Sequence, residues 1–574
     1  MSDITLSASG GAVWRSLALG LAGPWRAGHS RGAALLRPLA RLAVTGLAPD
    51  GVVDIDRLSS LYLKGRVLTA ALNSLQVAVL SSVIAVALGT LAAILTVHTN
   101  MRGKTAWIFC FVLPLMIPPQ VTALAWVQAF SPSSPLLGAL GLALPAGARH
   151  PLFSATGIIL LLGLYNAPLV FLTVRATLRR IPQNLAEAAR AAGAGNRRML
   201  FTILLPLARS GIMAGAALAF VSAIGNFGIQ AMLGIPARFP TLITLIYQQL
   251  NSYGPSALSD MAALALLLSA LTVAGLGLAG WLSRRGDLRV DGLGQPVTFS
   301  LGRGRIVAEA GAWVFLALTL LLPLSALVTT SLVSGFGQEL TLASLTLENY
   351  ANALVHHASI REAFLTSFGL TLTATVLLVG MAVFLAYFLS WHKGPLVRLV
   401  QLAAELAYAL PGIVLGVAMI LFFLRPLPFI NVSIYGTVWI ILAAYLSNFV
   451  ALALRPVMGG FAQIERSLEE AGRVAGAGFL ARMKDIILPM LAPSAIAGGI
   501  IVFMTALNEI QVSILLVSSG ARTIGPMIVF LEEGGSSTLA AAVGCLMIVV
   551  ILLLMGTASL FSSRLPKGAL PWQN

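Results

Sequence analysis

Eleven stretches of this chain are long and apolar enough to cross a bilayer, at about residues 68–98, 104–130, 152–176, 207–233, 257–282, 308–334, 363–391, 396–424, 432–457, 492–518 and 539–562. A helical crossing takes about 20 mainly apolar residues. These runs are too long for barrel strands and lack strict two-residue alternation, so the backbone groups they carry into lipid must be satisfied within helices. At 58% hydrophobic and 10% charged over 574 residues, the chain is too apolar for a soluble globular fold. The expected fold class is an all-α polytopic membrane protein.

Residues 1–65 are harder to read, because the apolar stretches Leu17–Gly23, Ala33–Leu36 and Leu42–Leu47 are short and broken by arginines. A weak first membrane helix is expected there from repeat symmetry, which would bring the total to twelve. A cleaved secretory signal fits poorly, since the apolar run is short and no small-residue cleavage site follows it. Threaded from a cytoplasmic N-terminus to a cytoplasmic C-terminus, 28 of the 36 Lys and Arg fall inside, Arg41 among them, and 8 fall outside, including Arg425. That bias orients the chain and brings its net charge of +16 to anionic lipid headgroups, so nucleic acid is not an expected partner. Cys110 and Cys545 both lie within apolar runs and read as small core residues.

One motif is written twice. Glu187-Ala188-Ala189, Gly193 and Ile203-x-Leu205-Pro206 recur as Glu470-Ala471-Gly472, Gly476 and Ile486-x-Leu488-Pro489, every pair 283 residues apart. Asn73-Ser74 also matches Thr366-Ser367, and Pro118-Pro119 matches Pro411-Gly412, both at 293; Tyr165 matches Tyr445 at 280. Such self-similarity marks an internal duplication. Both motifs lie on the Arg-rich side, so the copies are expected to be parallel six-helix repeats about an axis along the membrane normal, unlike inverted repeats. The expected organisation is an N-terminal segment 1–65, a first module 66–282, a polar, Gly-rich and basic cytoplasmic linker 283–306, a second module 307–562 and a cytoplasmic tail 563–574.

In each copy the motif opens on a helix-favouring stretch in which Asn184 or Ser467 is placed to cap the first turn, with Glu187 or Glu470 three residues on, the spacing of a capping box. Small alanines leave one face flat. Gly193 or Gly476 permits the positive φ that ends such a helix, and Pro206 or Pro489 suits the opening turn of the next span. A short flat helix of this kind is suited to lie in a groove of another protein.

These residues resemble the signature of the permeases of binding-protein-dependent ABC importers: EAA, three residues, G, nine residues, I-x-L-P. The one departure is Gly472 in place of the third alanine. The fused two-copy arrangement is most similar to the iron(III) permeases and their relatives for 2-aminoethylphosphonate and other phosphonates, polyamines and thiamine. The resemblance implies a bacterial inner-membrane subunit, two copies of a cytoplasmic ATPase docked at the two loops, an external solute-binding protein, and inward transport by alternating access. It also implies that ATP and Mg are used by the partners, with no cofactor on this chain and no enzyme activity of its own. Gly103-Lys104-Thr105 imitates a phosphate-binding loop, but His98 stands where its first glycine belongs.

Ionisable and amide groups within spans are costly and so are candidates for the translocation path. Glu509 maps onto Asn226 at 283, flanked by Gln230, Asn508 and Gln511, and reads either as a polar lining for a hydrophilic, cationic solute or as helix–helix hydrogen bonding. Glu405 precedes the Pro411-Gly412 break and reads as gating or packing. No metal site is expected, since His356-His357 has no further ligand at suitable spacing. An ion-coupled secondary carrier is the competing class; it would want paired intramembrane carboxylates and needs no docking loops.

Overall fold

The computed structural model describes residues 37–560 apart from Ala146, Asn251, Tyr253, Pro255, 285–296, His392, Lys393 and 427–430. The expected tail, the first 36 residues and half of the linker, 285–296, lie outside the described residues. Eight helices are long and apolar enough to cross a membrane, and three further pairs bend by more than 40° at a short break, so the described residues hold up to eleven spans.

The two halves repeat element by element. Helices Gly65–His98 and Ala358–Trp391 each have 34 residues, and Ala155–Leu178 and Val438–Phe461 each have 24. Within each half the long helix packs on the 24-residue helix, and both pack on the helix after the duplicated motif, Arg209–Gly225 or Leu488–Leu507. In the first half the long helix meets the 24-residue helix backbone closely at Gly89, where an added Cβ would lie 2.6 Å from the Ala167 carbonyl oxygen. Small residues let membrane helices approach closely in this way. The match of Ser74 with Ser367 has a structural cause: their hydroxyls accept the N–H groups of Leu242 and Ile524, each at 2.8 Å, and so hold the start of the same short helix in both halves. The tyrosine match does not hold in register, because Tyr165 is the eleventh residue of its helix and Tyr445 the eighth.

The runs 104–130 and 396–424 are not straight spans. Lys104–Met116 and Pro119–Ala129 meet at 104°, and Val397–Ala409 and Gly412–Phe423 at 113°. Proline pushes its preceding residue out of the helical region and lacks a donor. Accordingly Ile117 and Leu410 are extended, at φ −81°, ψ 135° and φ −82°, ψ 145°. The runs 207–233 and 492–518 also stop early, at Gly225 and Leu507.

The described part of the N-terminal segment includes a helix, Arg37–Leu47, about 16 Å long at 1.5 Å per residue. It packs against the last helix of its own half, Ala257–Arg284, and against Gly412–Phe423 of the other. Leu322–Ser331 does the same in mirror fashion, packing against Ser537–Leu560 and Pro119–Ala129. Arg41 also lies near enough to Arg425 to feel its charge. The threading that counts the first inside and the second outside therefore does not hold for both residues.

Candidate functional site

The duplicated loops fold alike. Gln183–Ala191 and Arg466–Val474 are nine-residue helices, each closed by a glycine in the left-handed region, Gly193 at φ 78° and Gly476 at φ 81°. The N–H groups of Ala194 and Ala477 turn back to the carbonyls of Ala189 and Gly472 at 2.9 and 3.0 Å, the pairing that satisfies the last carbonyls of a helix. A π-turn follows, Leu200–Leu204 or Met483–Ile487, directly before Leu-Pro. Pro206 then stands in a short turn before a 62° bend, whereas Pro489 opens the straight helix Leu488–Leu507.

The expected capping boxes are absent. The helices start after Pro182 and Glu465, with no side-chain cap, so Asn184 and Ser467 lie within the first turn. The glutamates bond one turn back along their own helix instead: Glu187 accepts from Gln183 at 2.8 Å, and Glu470 pairs with Arg466 at 3.1 Å. Both stay exposed, as do Ala188 and Ala471. Freed from capping, their carboxylates are available to a partner.

What lies beneath the two helices differs. Ala189 is buried with Met199 and with Val297 of the inter-module segment. That segment is tied down by His98, whose Nδ1 is 2.8 Å from the Val297 carbonyl, and by a Phe299 N–H bond to the His98 carbonyl at 2.6 Å. In the second half Gly472 stands in place of Ala189 and Arg482 in place of Met199: an added Cβ at Gly472 would meet Ile486 at 2.7 Å, with the Arg482 stem next at 3.4 Å. Arg482 Nε bonds Glu469 at 2.7 Å, both side chains are at most 12% exposed, and the Tyr387 hydroxyl reaches the same carboxylate at 3.4 Å. Arg482→Met alone leaves a buried carboxylate unpaired and is expected to lower stability by about 3–5 kcal/mol. Arg482→Met with Glu469→Ala restores the residue types of the first half and is expected to recover most of that loss; thermal unfolding of the two purified variants checks both.

The candidate path residues other than Glu405 converge on four chain breaks. Asn226 Oδ1 accepts the Ile229 N–H at 3.0 Å and caps Phe227–Gly234. Glu509 has the matching role, accepting from Val512 at 2.5 Å and Ser513 at 3.1 Å. Asn508 crosses between the halves to donate to the Met116 carbonyl at 2.7 Å, and Gln511 accepts the Gly412 N–H at 2.9 Å. Breaks of both halves thus meet at one seam: a Cβ on Gly225 would lie 3.4 Å from Pro411, and one on Gly525 3.4 Å from Gln120 Nε2. The two sides solve one problem differently. Gly412 has an N–H and Gln511 supplies its acceptor, whereas the matching Pro119 has none and the matching Gly228 lets the backbone close in, its added Cβ falling 2.7 Å from the Gln120 nitrogen.

Polar capacity is left over. Gln230 donates to the Ala223 carbonyl at 2.7 Å, but its Oε1 has no partner among the described residues, nor does Asn508 Oδ1, nor either amide atom of the fully buried Gln120. Gln120 was not among the residues singled out from sequence; its signal was an amide directly after the double proline of an apolar run. Glu405 belongs elsewhere, in a 2.6 Å pair with Arg455, whose guanidinium lies 4.8 Å from the Tyr408 ring centre. Its counterpart Val112 is buried, so the pair is a feature of the second half alone.

The family model for the binding-protein-dependent transport system inner membrane component matches this chain twice, over residues 85–287 and 379–567. The chain belongs to that family. It is a multi-pass inner-membrane permease component of an ABC importer and has no catalytic role of its own; the family implies ATPase and binding-protein partners. The permease is 26% identical to a probable ABC transporter permease protein, y4fN, of Sinorhizobium fredii, over 83% of this chain and 84% of that one. It is 24% identical to the putative ferric transport system permease protein FbpB 1 of Haemophilus influenzae, over 83% of this chain and 73% of that one. The molybdenum transport system permease protein ModB of Escherichia coli is 31% identical over 38% of the permease and 93% of its own length.

Proposed function

We propose that this permease carries iron(III) inward, with its two duplicated loops on the cytoplasmic face as the docking points for two ATPase subunits. The observation that carries the cargo assignment is the shared two-module length: relatives named for ferric transport align over 83% of the chain, whereas a molybdenum permease, matched over 93% of its own length, covers 38% of it. The higher identity of the shorter match makes a molybdenum oxyanion the second reading. Uptake of labelled iron(III) and of molybdate, compared in cells with and without the chain, separates them. Accumulation of molybdate alone moves the assignment, and uptake that survives ATP depletion but collapses with the ion gradient removes the ABC mechanism.

In this reading ATP binding draws the two ATPases together, the helices around Glu187–Gly193 and Glu470–Gly476 follow, and the halves rock about the seam. A ligand shifts such an equilibrium only by its differential affinity for the two states, so the docking helices must be held differently in each. The Asn508–Met116 bond closes the seam from one half to the other, the Gln511–Gly412 bond fixes the second half's break beside it, and the spare amide groups of Gln120 and Gln230 line the opened path together with Asn226 and Glu509. Asn508→Ala leaves the Met116 carbonyl without its donor from the other half, a cost of about 1–3 kcal/mol to the closed seam. The expected result is a passive leak of solute from vesicles without ATP; a tight Asn508→Ala protein speaks against the seam as gate.

A further inference from the structure

We infer that the two docking faces are chemically unequal, the first fitting an acidic protein surface and the second an apolar one. The inference rests on the docking role proposed above. The scaffolds agree in helix length, closing glycine and π-turn, so equivalent positions compare directly. At the tip, Arg197-Arg198 of the first loop stand where Leu480-Ala481 stand in the second, and Ala191 stands where Val474 stands. Leu480 is 74% exposed and Val474 89%, while Arg197 and Arg198 are exposed in the first loop. Net charge follows. The exposed cations Arg179, Arg180, Arg190, Arg197 and Arg198 face one exposed acid, Glu187, whereas Arg466, Arg473 and Lys484 are balanced by Glu465, Glu470 and Asp485. The remaining charges of the second loop, Arg482 and Glu469, are buried against each other.

The first loop therefore presents a concentrated positive face and the second a neutral one with exposed leucine and valine. Exposed charge contacts steer association and weaken with salt, whereas apolar contacts do not. An ATPase surface is favoured over lipid headgroups because the family implies ATPase partners and the arginines belong to one of the two copies of the motif at which those partners are proposed to dock. One ATPase copy is then held largely by electrostatics and the other by apolar burial.

The test uses the full-length permease in phosphatidylcholine nanodiscs, with the ATPase that co-purifies from its own host as the probe. Bound copies are counted by mass photometry as salt is raised. Two steps are expected, with one copy leaving at a salt concentration several-fold below the other. Arg197→Leu with Arg198→Ala should weaken the salt-labile copy about tenfold at low salt and flatten its salt dependence. Leu480→Arg with Ala481→Arg should instead make the second copy salt-labile. Release of both copies in a single step overturns the inequality while leaving docking intact, as does a two-step curve unchanged by the arginine variant. A first step that appears only with anionic lipid in the disc assigns the basic face to the membrane and also overturns it. A wild-type preparation that holds no ATPase at any salt removes the docking role itself.

Discussion

A chain carrying both Glu187→Ala and Glu470→Ala is expected to reach the membrane at normal abundance and to transport at one hundredth of the wild-type rate or less. Neither carboxylate supports the fold: one accepts from Gln183 and the other pairs with an exposed Arg466, bonds within a single turn that contribute only tenths of a kcal/mol. In the proposed docking each would contribute far more, because a charge-assisted hydrogen bond that becomes desolvated contributes about 1.5–3 kcal/mol. Losing both removes about 3–6 kcal/mol of differential docking, on the order of 10² to 10⁴ in rate, at 1.4 kcal/mol per tenfold change. The measurement is solute uptake beside ATPase co-purification. Normal uptake in the double variant would end the assignment of these helices as couplers, and each single variant should retain partial transport.

The second large effect is structural. Gly89→Leu is expected to destabilise the permease by about 3 kcal/mol or more, since its first side-chain atom would already lie 2.6 Å from the Ala167 carbonyl and 2.7 Å from Val170 Cβ. Backbone cannot yield as a side-chain tip can, so the 65–98 and 155–178 helices must part, and the helix of residues 209–225 that packs on both loses its seat. The matching Ala382 in the second half is buried and already accommodates a methyl, so Ala382→Gly should cost under about 1.5 kcal/mol. Thermal unfolding in detergent, with size-exclusion profiles, compares the two. A Gly89→Leu protein as stable as Ala382→Gly contradicts the close approach.

Much of this fold is legible before any coordinates. The constant spacing of 283 across the motif survives as two helices of equal length and two glycines of equal φ, because a tight motif tolerates no insertion. Ser74 and Ser367 were legible as a match, though not as acceptors for helix starts far along the chain. Apolar periodicity locates spans but is blind to their shape: the prolines at 118, 119 and 411 mark where the chain breaks, while the angle depends on which partner receives the freed groups. Those partners are Asn508 and Gln511, one from the opposite half, and no local pattern pairs Met116 with Asn508. Asn226 and Glu509 likewise read as polar side chains in apolar surroundings, and only the broken helices turn them into caps. The Arg482–Glu469 pair was hidden for a plainer reason. Its partners lie 13 residues apart on two short helices joined by a turn, and no spacing rule pairs them.

The reciprocal seating of Arg37–Leu47 on Gly412–Phe423 and of Leu322–Ser331 on Pro119–Ala129 has a consequence for how the molecule is made. Each half lends its opening segment to the other, as two hands clasp. The first half leaves the ribosome with a bare face at 119–129 that is covered only once residues near 322 have been synthesised and inserted, and its own opening helix waits still longer for 412–423. At 5–20 residues per second that wait is on the order of ten seconds or more. A polypeptide severed in the linker would have to find its mate in the bilayer before either piece was whole, and continuity of the chain spares it that search.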